Sequence, residues 1–237
     1  MTILEARGVS YHYGGVRALQ DVDLAIDQGT VHGLIGPNGA GKSTFIDTLT
    51  GQRKPTSGRV MLGGRDITNL SIRRHRLAGV ARSFQRTSIF GALSVREQLD
   101  LMAHQLGEED LSAVIDTVGL REFLDHEAGS ISYGDQRRLD IALALLGQPH
   151  VLLLDEPMAG LSIGDSSVLA EHLRNLANDR GVTILLIEHD LEIVSRICDV
   201  VTVLDQGRSI AHGSPKQVLS DPLVIQAYVG EPIAADS

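Results

Sequence analysis

The feature that most constrains the fold of this chain is a glycine-rich loop near its amino terminus. Residues Gly36 to Ser43 read Gly-Pro-Asn-Gly-Ala-Gly-Lys-Ser and match the pattern G-x-x-x-x-G-K-[ST]. The apolar segment Val31–Ile35 precedes the loop and predicts a buried strand, and the residues from Lys42 to Leu49 have helical spacing. A strand, this loop and a helix in that order predict a phosphate-binding loop in an α/β domain.

The residue types in this loop suit the binding of a nucleoside triphosphate. Glycines let backbone N–H groups curl around phosphate oxygens, and the start of a helix adds positive potential. We expect the Lys42 ammonium to reach the β- and γ-phosphates and the Ser43 hydroxyl to bind Mg²⁺. A glycine-rich turn with a chance lysine is the competing interpretation, and the flanking strand and helix disfavour it. The predicted nucleotide-binding residues of the loop are Gly36, Pro37, Asn38, Gly39, Ala40, Gly41, Lys42, Ser43 and Thr44.

A second apolar strand ends in two carboxylates. Val151–Leu154 is followed directly by Asp155 and Glu156. We predict that Asp155 holds Mg²⁺ through water and that Glu156 polarises the water that attacks the γ-phosphate. Two acids at the end of a strand carry little information alone, but beside a phosphate loop they predict a hydrolytic site.

The rest of the chain divides into an α/β frame and a helical insert. Thr183–Ile187 predicts a further buried parallel strand, and the residues from Val200 to Ala211 predict a hairpin. Between about Phe84 and Gly147 the pattern becomes helical, with Ser94 and Glu97 spaced as a capping box. We therefore expect an all-helical section inserted into the α/β frame.

Composition excludes several classes of function. The 237 residues contain 21 Lys and Arg against 30 Asp and Glu, a net charge of −9, which disfavours a nucleic-acid binder. Aromatic residues make up 3% of the chain and Trp is absent, which disfavours base-stacking surfaces. Neither a secretory signal nor an apolar run of membrane-spanning length is present, so we expect a cytoplasmic location. Cys198 is the single cysteine, so an internal disulfide is impossible.

The order of these motifs resembles that of the ATP-binding cassette (ABC) ATPases, from about Ile3 to Gly230. The resemblance implies an α/β fold, a P-loop NTPase cassette with an N-terminal antiparallel β subdomain and an inserted all-helical subdomain. It implies a single domain over 1–237, with core regions 1–84 and 148–230 and a helical signature subdomain over 85–147. Further matching segments are Ser83-Phe84-Gln85, Ser132-Tyr133-Gly134-Asp135-Gln136, Ala159-Gly160-Leu161-Ser162 and Ile187-Glu188-His189-Asp190.

The resemblance also assigns roles to residues outside the phosphate loop. It implies that Tyr13 lies under the adenine ring, that His189 braces the γ-phosphate and the water, and that Gln85 links the γ-phosphate and the metal to the helical insert. Gln85 thus counts among both the catalytic residues and the Mg²⁺ ligands. Ser132 and Gly134 are implied to grip the ATP of a second cassette.

Each of these residues also has an ordinary interpretation. Tyr13 alone is typical of a strand edge, Gln85 of a protein surface, and Ser132 of a helix N-cap. His189 alone is typical of a surface or a helix end. The signature departs from the family pattern at Tyr133 and Asp135, and Asp135 places a negative charge near the expected triphosphate.

Two fragments point to one branch of the family. Ser132 to Asp140, read as Ser-Tyr-Gly-Asp-Gln-Arg-Arg-Leu-Asp, and the carboxyl-terminal Val224 to Gly230 resemble ATP-binding subunits of branched-chain amino acid importers. The implied function is ATP hydrolysis that energises membrane transport, on the cytoplasmic face of the inner membrane. The implied partners are permease subunits, a second identical or sister cassette and, indirectly, a solute-binding protein, with no nucleic acid.

Other functions stay open at this stage. The chain could serve an importer of another small solute such as urea or amides, or an exporter of lipid or lipopolysaccharide. A soluble cassette protein outside transport and a regulatory cassette that binds ATP but barely hydrolyses it are the remaining alternatives. Ile89 and Phe90 form an apolar pair in a polar loop, which predicts either a permease contact near Arg86 to Leu93 or part of the local core.

Overall fold

The computed structural model describes residues 1–83, 88–108 and 110–229 of the chain. Within these ranges it contains two sheets and a set of helices, joined mostly by short loops. No helix of the described residues has the length and apolar character needed to cross a membrane. In chain order the elements are β1 (Thr2–Tyr13), β2 (Val16–Asp27), β3 (Val31–Ile35), α1 (Lys42–Leu49), β4 (Ser57–Leu62), β5 (Arg65–Asp66), α2 (Ile72–Ala78), β6 (Val80–Ser83), α3 (Val95–Leu106), α4 (Ser112–Val118), a 3₁₀ turn (Arg121–Phe123), α5 (Tyr133–Leu145), β7 (Val151–Asp155), α6 (Ile163–Arg180), β8 (Thr183–Ile187), α7 (Leu191–Ile197), β9 (Val200–Asp205), β10 (Arg208–Gly213), α8 (Pro215–Leu219) and α9 (Pro222–Val229).

The amino-terminal sheet is antiparallel, as predicted, with the strand order β2-β1-β4-β5. Its long strands β1 and β2 are joined at Gly14 and Gly15. Alternate side chains of β2, including Leu24 and Ile26, are buried and pack on an apolar cluster that also contains Phe45 of α1. This packing places the sheet beside the helix that begins in the glycine-rich loop.

The second sheet has the order β10-β9-β3-β8-β7-β6 and is parallel except for β10. Every residue of β3, β7 and β8 is buried, which is expected of parallel strands covered on both faces. These three strands end at one edge of the sheet. That edge therefore brings together the glycine-rich loop, the carboxylates after β7 and the segment after β8.

The described part of the predicted insert is helical. It contains α3, α4, the 3₁₀ turn and α5, with one isolated bridge between Ser94 and Glu127. The capping box is confirmed, since the Glu97 N–H donates to Ser94 Oγ over 3.1 Å and the Ser94 N–H donates to Glu97 Oε2 over 2.7 Å. The predicted hairpin is also confirmed, as β9 and β10.

Candidate nucleotide-binding site

The glycine-rich loop leaves β3 and enters α1 through a backbone path that only glycine allows. Gly36, Gly39 and Gly41 have φ values of 147°, 80° and 104°. A Cβ atom at Gly36 would lie 2.0 Å from the carbonyl oxygen of Leu204, and one at Gly41 would lie 2.7 Å from that of Ala18. Among the described residues no side chain caps the start of α1. The N–H groups at the start of a helix are suited to binding an anion.

Lys42 is buried and directed back over the loop. Its Nζ donates to the carbonyl oxygens of Gly36 and Pro37 over 2.7 and 3.0 Å. Burial lowers the pKa of Lys42, whereas the nearby carboxylates of Glu156 and Asp155 raise it. The structure thus places the predicted phosphate-binding cation within electrostatic reach of both predicted acids.

Asp155 is buried at the end of β7 and pairs with an arginine that the sequence analysis did not single out. Arg82 of β6 donates through Nη2 to Asp155 Oδ2 over 2.9 Å and through Nη1 to Asp47 Oδ1 over 2.6 Å. Burial raises the pKa of Asp155, and Arg82 lowers it. Arg82 therefore connects the acidic strand to α1. An arginine directly after the apolar pair Val80-Ala81 is the signal that could have identified it.

Glu156 has a backbone conformation that is rare for its residue type. Its φ is +50°, and its N–H donates to the carbonyl oxygen of Ile187 over 3.0 Å. Its Oε1 lies 2.8 Å from Nε2 of His189. Strained backbone of this kind persists only where the surrounding structure holds it in place. It is found most often at functional sites.

A second arginine holds the backbone of this acidic segment. Arg137 of α5 is fully buried. Its Nη2 donates to the Glu156 carbonyl oxygen over 2.8 Å and its Nε donates to that of Pro157 over 3.0 Å. The helical insert thereby fixes the loop that carries Glu156. The adjacent arginines Arg137 and Arg138, in a helix that is apolar from Ile141 onwards, were the available signal, although the pair alone predicts no role.

These elements surround a cavity of about 530 Å³. Tyr13 lies at its rim, 43% exposed, with its hydroxyl 3.4 Å from Oγ1 of Thr44. The Arg53 guanidinium lies 4.9 Å from the centre of the Tyr13 ring and covers one face of it. The lining residues are Tyr13, Val16, Arg17, Ala18, Gln20, Asn38, Gly39, Ala40, Gly41, Lys42, Ser43, Thr44, Glu156, His189, Gln206 and Gly207.

Ser132 and Gly134 are not among the described residues that line this cavity. Ser132 caps α5: its Oγ accepts from the Asp135 N–H over 3.1 Å and donates to Asp135 Oδ2 over 2.6 Å. The Asp135 carboxylate also pairs with Arg138. The negative charge that Asp135 brings to the signature segment is thus balanced within the same helix.

Gln85 lies outside the described residues, so its predicted roles in catalysis and metal binding stay predictions. Ser83 and Ser88, on either side of the segment that contains Gln85, both form hydrogen bonds to the side chain of Asp140. Ser83 Oγ donates to Asp140 Oδ2, and the Ser88 N–H donates to Asp140 Oδ1 over 3.1 Å. Burial raises the pKa of Asp140, while both of these hydrogen bonds lower it.

Two protein-family models match parts of the chain. The ABC transporter family model matches residues 19–159. A second model, described as the branched-chain amino acid ATP-binding cassette transporter, matches residues 208–234. The second match covers β10, α8 and α9, which lie beyond the predicted catalytic residues.

Individual proteins resemble the chain over nearly its whole length. It is 36% identical to the high-affinity branched-chain amino acid transport ATP-binding proteins BraF of Pseudomonas aeruginosa and LivG of Escherichia coli K12, over 97% of this chain and 98% of each relative. It is 34% identical to the lipopolysaccharide export system ATP-binding protein LptB of Escherichia coli K12, over 98% of both chains. The ADP conformation of an ABC transporter cassette superposes with a TM-score of 0.89 at 32% identity, covering 98% of this chain and 100% of the other.

Proposed function

The chain belongs to the ATP-binding cassettes of the ABC transporter family, and from this premise we propose that it powers the import of branched-chain or related amino acids. As a member of this family it is a nucleotide-binding ATPase subunit of a transporter. The observation that carries the choice of substrate is the match of residues 208–234 to the cassette family of branched-chain amino acid transporters. The identities of 36% to BraF and LivG support the same choice.

The side chains at the cavity support hydrolysis by in-line attack of water on the γ-phosphate. Glu156 accepts a proton from the water as its oxygen bonds to phosphorus, and the bond to the β–γ bridging oxygen breaks to release ADP with the electron pair. His189, in contact with Glu156, braces the γ-phosphate and the water. Lys42 keeps its hydrogen bond to the Gly36 carbonyl and donates its other N–H groups to the β- and γ-phosphate oxygens.

The donors present fit Mg²⁺, which prefers oxygen ligands and keeps several waters. Ser43 supplies a hydroxyl, Asp155 supplies a carboxylate, and Gln85 is the third predicted ligand. Mg²⁺ at nucleotide sites is typically held by one or two protein oxygens together with phosphate oxygens, so the phosphates of the nucleotide would complete the site. When bound, the ion neutralises charge on the phosphates.

Two partners complete the proposed assembly. Ser132 and Gly134 lie away from the cavity lining of their own chain, which supports a contact with ATP bound to a second cassette. Phe90 is 64% exposed, whereas Ile89 packs against the core. We assign the permease contact to Phe90, on the cytoplasmic face of the membrane.

The test is amino acid uptake by cells of the native host that lack this chain. Wild-type chain supplied from a plasmid should restore uptake of labelled leucine, isoleucine or valine, and Glu156→Gln at equal abundance should not. Copurification from detergent-solubilised membranes should recover polytopic permeases and a second cassette.

Unchanged uptake of all three amino acids in the deletion strain would overturn the choice of substrate. Loss of urea uptake, or accumulation of lipopolysaccharide inside the cell, would favour the other transporters; LptB, at 34% identity, makes the exporter the second candidate.

A further inference from the structure

The first residue of the glycine-rich loop is bonded to a tyrosine from the far end of the chain. The Gly36 N–H donates to the hydroxyl oxygen of Tyr228 over 2.9 Å, across 192 positions of sequence. Tyr228 lies in α9, within the carboxyl-terminal segment that the ATPase mechanism leaves without a role. The contact therefore connects that segment directly to the nucleotide-binding loop.

Gly36 is confined on several sides, so a bond to its N–H constrains the whole residue. A Cβ atom at this position would lie 2.0 Å from the carbonyl oxygen of Leu204 and 3.3 Å from the Ala40 side chain. The carbonyl oxygen of Gly36 accepts from Lys42 Nζ over 2.7 Å. Tyr228 thus holds the residue that in turn holds the predicted phosphate-binding ammonium.

Tyr228 is itself fixed by packing. Its ring is half-buried against the main apolar cluster of the protein, and Val224, one turn earlier in α9, is buried in the same cluster. Burial raises the pKa of the Tyr228 hydroxyl, and the Gly36 N–H lowers it. The ring therefore presents its oxygen to Gly36 from a defined position.

We propose that Tyr228 is a positioning residue of the nucleotide site, which holds Gly36 so that Lys42 is presented to the β- and γ-phosphates. The inference rests on the nucleotide binding described above and extends it to α9. Replacing the hydroxyl by hydrogen leaves a confined N–H without its acceptor. Leaving a buried N–H without an acceptor typically costs enough free energy to weaken nucleotide binding roughly tenfold.

The test compares two variants of the full-length chain. Tyr228→Phe removes the acceptor and keeps the ring. Val224→Ala loosens the same helix and keeps the hydroxyl. Binding of fluorescent mant-ADP is titrated in EDTA, so that metal binding does not contribute, and Tm is measured for each protein. We expect roughly tenfold weaker binding for Tyr228→Phe and, for Val224→Ala, which keeps the hydroxyl, a lowered Tm with a smaller loss of affinity.

A magnetic resonance readout reports on the bond itself. Ile-Gly occurs only at Ile35-Gly36 and Ile163-Gly164, so labelling with carbonyl-¹³C isoleucine and ¹⁵N glycine isolates two amide signals. Tyr228→Phe should move the Gly36 signal upfield and leave that of Gly164 in place.

An affinity within twofold of wild type, or an unmoved Gly36 signal, would overturn the positioning role. Absence of mant-ADP binding by the wild-type chain would instead contradict nucleotide binding itself.

Discussion

Nε2 of His189 lies 2.8 Å from Oε1 of Glu156. The two side chains predicted to act on the water and the γ-phosphate are therefore in direct contact. They come from neighbouring strands, Glu156 following β7 and His189 following β8. Each of the two side chains thus orients the other, as a base is held by a neighbouring group in many hydrolases.

Glu156→Gln should bind ATP but hardly hydrolyse it. The amide keeps the shape of the carboxylate but cannot accept a proton, and the loss of a general base typically costs about 10²- to 10⁴-fold in rate. Phosphate release measures turnover, and gel filtration should show an ATP-bound dimer. Glu192→Gln, which changes an exposed carboxylate of α7, should retain wild-type turnover. Wild-type turnover by Glu156→Gln would show that another group is the base.

Arg82→Met should destabilise the fold. The change removes the cation shared by Asp47 and Asp155, both little exposed, and the loss of one partner from a buried ion pair costs about 3–5 kcal/mol. Urea denaturation measures the free energy of unfolding. Asp47→Asn should lower the free energy of unfolding less in the Arg82→Met protein than in the wild-type protein, because Asp47 and Arg82 interact. A loss below about 1 kcal/mol for Arg82→Met would mean that the pairs are not stabilising as described.

The stability of the protein should depend on His32 at acidic pH. Burial, together with the charge of His212, lowers the pKa of His32 to about 3, so the folded state keeps the ring neutral while the unfolded state binds a proton below pH 6.5. Stability from this group is therefore complete above pH 6.5 and is lost as the pH falls towards 3, by up to about 1.4 kcal/mol per pH unit. Urea denaturation at pH 7, 6 and 5 should show a shallower loss for His32→Gln. Equal slopes for the two proteins would contradict the burial effect.

Cys198 should be unreactive in the folded protein. Its thiol is buried, and burial raises its pKa to about 12, so about one molecule in 10⁴ carries a thiolate at pH 8. A disulfide reagent such as DTNB should react slowly in native buffer and rapidly in urea. Rapid reaction in native buffer would mean that the segment around Cys198 opens readily.

Phe90→Ala should impair assembly without impairing the isolated cassette. The ring is mostly exposed, and its backbone is fixed by Gln98, whose Oε1 accepts from the Phe90 N–H over 2.8 Å. We expect wild-type ATP affinity and Tm, together with reduced copurification of permeases. Ile89→Asp, at a position packed against the core, should lower Tm instead. Undiminished copurification with Phe90→Ala would place the permease contact elsewhere.

The local features of this protein could be predicted from sequence because they depend on short spacings. The helix over Lys42–Leu49 and the strands Val31–Ile35 and Thr183–Ile187 have the predicted bounds, since periodicity and flanking glycines define them. The capping box at Ser94 follows from a three-residue spacing.

The connections between distant parts of the chain could not be predicted in this way. Arg82 forms a hydrogen bond to Asp155, 73 residues away in the sequence, and Gly36 forms one to Tyr228, 192 residues away. A single sequence shows the types of these residues but not which of them meet in space. A buried arginine is also hard to foresee, because arginine is typically a surface residue.

The position of β3 bears on how the protein is made. This strand, which leads into the glycine-rich loop, pairs with β8 on one side and β9 on the other, and β9 begins only at Val200. On the ribosome, the emerging chain must therefore hold an apolar strand without either neighbour until most of the protein has been synthesised. Exposed apolar strands of this kind favour aggregation and chaperone binding. A chain truncated before β9 would carry every predicted catalytic residue and still lack β9 and β10, which complete the sheet on one side of β3.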